Sequence, residues 1–150
     1  MAADRGYIAL NDAARSRLRA LVARLTDADL ARPMPAGWTV ASVLAHVAFW
    51  DQRILVLLDR WEQTPSTLPP AINEADVDWV NDATKALLLA MPPRRAAEVT
   101  VATAETVDAR VAALPDDLLA RNKAAGSPLS MTRSAHREEH LDEIERVLRA

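Results

Sequence analysis

The stretch WTVASVLAHVAFWDQRILVLLDRW, Trp38 to Trp61, contains neither proline nor glycine, and its apolar residues recur at three- and four-residue intervals. Val40, Val43, Leu44, Val47, Ile54, Leu58 and Trp61 fall on one stripe, which predicts a long helix with that stripe turned inward. At ~1.5 Å per residue it would be roughly 33 Å long. PMPAG at residues 33–37 cannot continue a helix, so Trp38 or Thr39 opens this one.

Outward from it, prolines punctuate the chain between segments with the same period. Residues 5 to 25 form a helix with Leu10, Ala14, Leu18, Leu21, Val22 and Leu25 inward, followed by a Thr26/Asp29 capping box and a short turn to about Arg32. Residues 62 to 72 are the longest connection and the expected crossover. A third helix starts after Asn73 as N-cap, with Val77, Val80, Thr84, Leu87, Leu88 and Met91 on one face. Pro92-Pro93 opens a fourth, striped by Ala97, Thr100, Ala104, Val107, Val111 and Leu114. After a short turn from Pro115 to Arg121 and a loop over 122–128, the last helix runs from about Ser130 to Leu148. The expectation is an all-α fold, one bundle domain of four or five main helices over residues 1–150.

Composition supports this. Half of the residues are hydrophobic but only 4% are aromatic, and alanine and leucine make up close to a third of the chain. Three glycines and no runs of β-branched residues exclude an all-β or doubly wound fold. The absence of cysteine excludes disulfides, thiolate metal sites and a cysteine nucleophile. The formal net charge is −3, with 18 basic and 21 acidic residues scattered along the chain, so nucleic acid is not an expected partner. No signal peptide is read near Met1, and no stretch is read as approaching the ~18 apolar residues of a membrane span. A cytoplasmic protein is expected.

The chain has three histidines, His46, His136 and His140. With His136 as zero and about 100° per residue, His140 lies at about 40°, Val147 at about 20°, Glu143 at about −20° and Ile144 at about 80°. Glu138, Asp142, Glu145 and Arg149 fall on the opposite side. The pair therefore points inward one turn apart, the spacing at which two imidazoles chelate one divalent cation. His46 flanks the inner stripe of the long helix. If the two helices are neighbours, three imidazoles converge. Spacing alone leaves two readings open: a shared metal ion, or core histidines satisfied by main-chain carbonyls. The run His136-Arg137-Glu138-Glu139-His140 also spells His-x-x-Glu-His, but the protease signature needs a further acidic ligand well downstream, and only ten residues remain.

Gly37-Trp38-Thr39-Val40-Ala41-Ser42-Val43-Leu44-Ala45-His46-Val47-Ala48-Phe49-Trp50 resembles the opening of the second helix in the DinB-like superfamily, and His136-x-x-x-His140-Leu141-x-x-Ile144 resembles its last helix. Leu25 to Pro33 and Val77 to Asn81 are similar to the branch that includes the ClbS and DfsB proteins. The resemblance covers nearly the whole chain. It implies an up-down-down-up four-helix bundle, often a homodimer, connected with stress response. It also implies a divalent ion, nickel or zinc with iron or manganese as alternatives, on His46, His136 and His140. Glu143 departs from the pattern, standing where many relatives carry glutamine.

Three nitrogen ligands leave a coordination position open, which distinguishes a working site from a structural one. Such an ion lowers the pKa of water or of a thiol. With no cysteine in the chain, sulfur chemistry needs an external low-molecular-weight thiol, as in the thiol-dependent transferases of this superfamily. Hydrolysis would use the same ligands, with Glu143 or Glu139 as base. Trp50 and Arg53, one and two turns beyond His46, are candidates to line the pocket of a small-molecule substrate, Arg53 steering an anionic one. Ser42 is a packing residue, since no triad can be assembled around it. The competing expectation is a protective, ligand-binding bundle of the ClbS/DfsB type without turnover.

Overall fold

The structure is a computed structural model that describes residues 2–150. Among these residues there are seven α-helices and no strand: α1 (Tyr7–Arg24), α2 (Asp27–Leu30), α3 (Val40–Gln63), α4 (Glu74–Leu89), α5 (Pro93–Ala112), α6 (Asp116–Ala124) and α7 (Ser134–Arg149). The all-α class expected from the sequence is what the chain adopts.

Helix starts follow local chemistry. The Thr39 hydroxyl accepts the Ser42 N–H at 3.1 Å, and the Ser42 hydroxyl accepts the Thr39 N–H at 2.8 Å, a capping box that opens α3. Thr26 and Asp29 do the same for α2. Asn73 Oδ1 accepts the Asp76 N–H at 2.8 Å to open α4, and Pro93 stands in the first turn of α5. Each cap is worth about 1 kcal/mol. Before α3 the chain turns through Ala36 (φ 59°) and Gly37 (φ 79°), and the Met34 N–H reaches the Trp38 carbonyl at 2.8 Å. Glycine takes this left-handed backbone without steric cost.

The core is two apolar clusters. The first joins Leu18 and Leu21 of α1, Val40 to Ala45 at the start of α3, Ala96, Ala97 and Ala104 of α5, and Leu141 and Ile144 of α7. The second joins Tyr7, the α3 residues Ile54 to Trp61, Val107 and Val111 of α5, Leu119 of α6, and Leu129 and Met131. α3 packs most extensively on α5; α1 lies against α5 and α7, and α3 also touches α7 and α4. On the side of α7 away from the histidines, Glu138, Asp142 and Glu145 are tied to Arg17 of α1.

Several expectations need correction. Leu10 is 56% exposed, and Asn11 takes the inward place on α1. The reason lies far along the chain: Asn11 Oδ1 accepts the N–H groups of Arg133 (2.7 Å) and Ser134 (3.0 Å), while its Nδ2 donates to the Met131 carbonyl (2.9 Å). That long-range cap starts α7 at Ser134 rather than Ser130. α4 turns the expected stripe inward only part-way: Val77, Val80, Thr84 and Leu88 are half-buried, Leu88 against the first cluster, but none is fully buried and Leu87 is 71% exposed. α6 runs on to Ala124, taking in part of the expected loop. Finally, α3 is long and apolar enough to cross a membrane, contrary to the expectation that no segment approaches this. Its most apolar window is 67% buried against the bundle, and it bears the buried Asp51 and His46, as a core helix does.

Candidate metal centre

α3 and α7 bring the three histidines together. His46 Nε2 lies 3.2 Å from His136 Nε2, and His140 Nε2 lies 3.0 Å from the same atom. Three ring nitrogens, one from each residue, fall within 4.8 Å of one another. Ring centroids are 4.6–5.1 Å apart, all edge-on.

A neutral imidazole nitrogen carries either one hydrogen or one lone pair. His136 Nε2 takes part in both short contacts, so the two cannot both be ordinary hydrogen bonds. Protonation makes matters worse. Burial, then the charge of His140, lowers the pKa of His46 to about 4. Burial, then its neighbours His140 and His46 and two arginines, lowers that of His136 to about 3. His46 and His136 are neutral near pH 7. A cation held by the three rings would relieve the conflict by accepting a lone pair from each, and the donor set, three imidazoles, suits zinc or nickel. The outer nitrogens bear the protons in that arrangement. His140 Nδ1 faces Glu143 Oε2 at 3.3 Å, which fixes its tautomer. His46 Nδ1 is buried and has no partner.

Two cavities flank the cluster. The larger, about 570 Å³, is lined by His46, His140, Glu143, Trp38 and the α4 residues Asp78, Asp82 and Lys85. The smaller, about 410 Å³, is lined by His46, His136, Trp50, Arg53 and Arg133 among others. Asn81 of α4 lines both, and its Oδ1 accepts the Trp50 Nε1–H at 2.9 Å. α4 therefore walls both cavities beside the histidines while Leu88 packs on the core. Its positions 78, 81, 82 and 85 share one face at helical spacing, a polar signal that the hydrophobic reading of this helix passed over.

Of the residues singled out from sequence, His46, His136 and His140 meet at one point, Glu143 touches the outer nitrogen of His140, and Trp50 and Arg53 line the smaller cavity. Glu139 is exposed and lines neither cavity. The Ser42 hydroxyl is spent on the cap of α3. Sequence reading missed Arg137, fully buried and next in the chain to His136. Its guanidinium bonds both oxygens of Asp108 (2.6 and 2.8 Å) and also reaches Asp51 (3.2 Å). Asp51 also takes Arg133 Nε (2.9 Å), and Asp108 takes Arg15 (2.7 Å), so four helices are pinned just beneath the site.

The family model for the mycothiol maleylpyruvate isomerase N-terminal domain matches residues 12–149. No curated protein and no solved structure gives a significant match. The matched span takes in α3 and α7 with all three histidines, and with it the chain belongs to the mycothiol maleylpyruvate isomerase N-terminal domain family, within the DinB-like superfamily.

Proposed function

We propose that His46, His136 and His140 hold one divalent cation, nickel or zinc with iron or manganese as alternatives, and that the protein is a metal-dependent enzyme adding an external thiol to an electrophilic small molecule. The observation that carries this is the meeting of three imidazole nitrogens that hydrogen bonding among themselves cannot satisfy. A bound cation would supply Lewis acidity, lowering the pKa of a thiol or water that reaches it. Family membership favours the thiol, mycothiol by the family's name, over water; hydrolysis is the variant of the same reading.

The chain's own residues would do the rest. The S–H bond breaks and its proton passes to a Glu143 carboxylate oxygen; the sulfur electron pair forms the new S–C bond as the electrophile's π bond breaks, its pair moving to the far atom, which then takes the proton back from Glu143. Trp38, Trp50 and α4 wall the groove and limit water at the reacting atoms. Glu139, out in solvent, has no part. A homodimer and the up-down-down-up helix order belong to the same proposal. Favouring that order, α3 and α5 both run from the first apolar cluster to the second, and α1 and α7 run the other way.

The test is direct. Chelator-stripped protein reconstituted with Ni²⁺ or Zn²⁺ should retain about one ion per chain by elemental analysis, and the loaded protein should consume a low-molecular-weight thiol in the presence of an electrophile. Protein that retains none of nickel, zinc, iron and manganese overturns the metal reading. Tight metal retention without thiol consumption or hydrolysis leaves the ligand-binding alternative standing instead.

A further inference from the structure

The two cavities beside the histidines differ in charge. Asp78, Asp82 and Glu143 face the larger one against a single lysine, Lys85, whose ammonium is held by the Ala36 carbonyl and lies 5.3 Å from the centre of the Trp38 ring. The smaller cavity has no acidic residue in its wall but two arginines, Arg53 and Arg133. Arg133 has its Nε on Asp51. Among the described residues, no carboxylate forms an ion pair with Arg53. Its guanidinium carbon stands 5.8 Å from the centre of the Trp50 ring, and that ring is fixed by the bond from its Nε1–H to Asn81.

An arginine half-sunk in a wall without a counter-ion is unusual, because removing a guanidinium from water is costly unless something anionic replaces the water. Burial, then the like charge of Arg133, lowers the Arg53 pKa, as expected of a cation lacking its partner. Stacking on an aromatic ring leaves the guanidinium edge free for a bidentate contact. Ser130 in the same wall supplies a neutral hydroxyl. His136 lines this cavity as well, so a molecule anchored at Arg53 extends toward the histidine cluster.

We propose that the smaller cavity is the anion-binding arm of the groove, with Arg53, seated on Trp50 and backed by Arg133, receiving a carboxylate of the substrate while the rest of that molecule reaches the histidines. This deepens the enzymatic reading by naming Arg53 as the residue that selects a carboxylate-bearing electrophile. It rests on that reading only for the chemistry that follows binding.

The experiment separates the two. Metal-free and zinc-loaded protein are titrated with succinate and with its neutral diamide, succinamide, and binding is followed by the indole N–H resonance of Trp50. Zinc content is measured on the same samples. Succinate should shift that resonance to saturation in both forms, and succinamide should not. Arg53→Gln, on a partly exposed position, should keep its helical circular dichroism and zinc content but bind succinate about tenfold more weakly or worse, with Arg53→Lys in between. His136→Ala should lose zinc and still bind succinate. Equal shifts from succinate and succinamide, no saturable shift with either, or unchanged succinate affinity in Arg53→Gln, would overturn the anion arm whatever the zinc result. Zinc absent from wild-type protein that binds succinate overturns the metal reading alone.

Discussion

Two buried polar clusters lie side by side on α3 and α7 and are built to opposite rules. At Asp51, Asp108, Arg133 and Arg137 each charge meets an opposite charge, and Arg137 makes a two-pronged contact with Asp108. Burial pulls the Arg137 pKa down, but the bonds to Asp108 and Asp51 outweigh it and leave it raised. At His46, His136 and His140, a turn or so away along the same helices, the Nε2 atoms of the three rings find only each other, and the pKa values of His46 and His136 fall. A satisfied buried network fixes geometry. An unsatisfied one beside two cavities is poised for a ligand. The pair of clusters thus divides scaffold from site, and each can be broken separately.

The largest effect should come from the site. His136→Ala removes the nitrogen common to both short contacts, so it should abolish stoichiometric Zn²⁺ binding in a competition titration with a chromophoric chelator. The metal-free protein should change in stability by no more than about 1 kcal/mol, since no strong bond is lost. The scaffold should answer the other way. Arg137→Met leaves Asp108 with only Arg15 and Asp51 with only Arg133, and breaking a buried pair on one side costs about 3–5 kcal/mol. Urea unfolding of the metal-free protein measures it. If His136→Ala unfolds the chain while Arg137→Met does not, the division drawn between the clusters is wrong.

Why only one of the clusters was legible in the sequence follows from the range of its contacts. The histidine pair is written in a four-residue spacing on one helix, and His46 lies in a motif with its own periodicity, so only their meeting had to be found in three dimensions. Arg137 looks like an ordinary charged residue because its partners are 86 and 29 residues away. Asn11 was hidden for the same reason: a helical stripe favours Leu10, and the cap that draws Asn11 inward is formed 122 residues later. Glu139 and Glu143 show the limit of local reading. Glu139 adjoins His140 in sequence, yet one step of about 100° carries it into solvent, whereas Glu143, nearly a full turn on, returns to the ring of His140. Helix starts were legible because Thr39, Ser42 and Asn73 act on their own neighbours.

A smaller effect sharpens the contrast within the site. Glu143 touches His140 but no other member of the cluster, and part of it is exposed. Glu143→Gln keeps a hydrogen-bond acceptor but removes the charge that favours the Nδ1–H form of His140. Outer partners of this kind are worth 10- to 100-fold in metal affinity, and exposure argues for about tenfold here. The same titration with Zn²⁺ reads it. Affinity equal to that of the wild type would mean the carboxylate does not orient the ring.

Acid sensitivity without metal tests the rule that separates the clusters. In the unfolded chain His46 and His136 take up protons near the ordinary histidine value of 6.5; in the folded chain they do so only at about 4 and about 3. Between those limits the unfolded state binds more protons, so stability must rise with pH across the window. The contribution is fully present above about pH 6.5 and is lost as the pH falls toward 4 and then 3, at roughly 1 kcal/mol per pH unit for each ring. Carboxylates also respond to acid, so the informative quantity is a difference: urea unfolding free energies of wild type against His46→Gln/His136→Gln at pH 7, 6 and 5. The wild type should lose stability faster than the double variant over this range, and saturating Zn²⁺ should protect only the wild type. Parallel lines for the two proteins would mean that the rings are already as well served as Arg137 is, and the contrast between a finished network and one awaiting a cation would disappear.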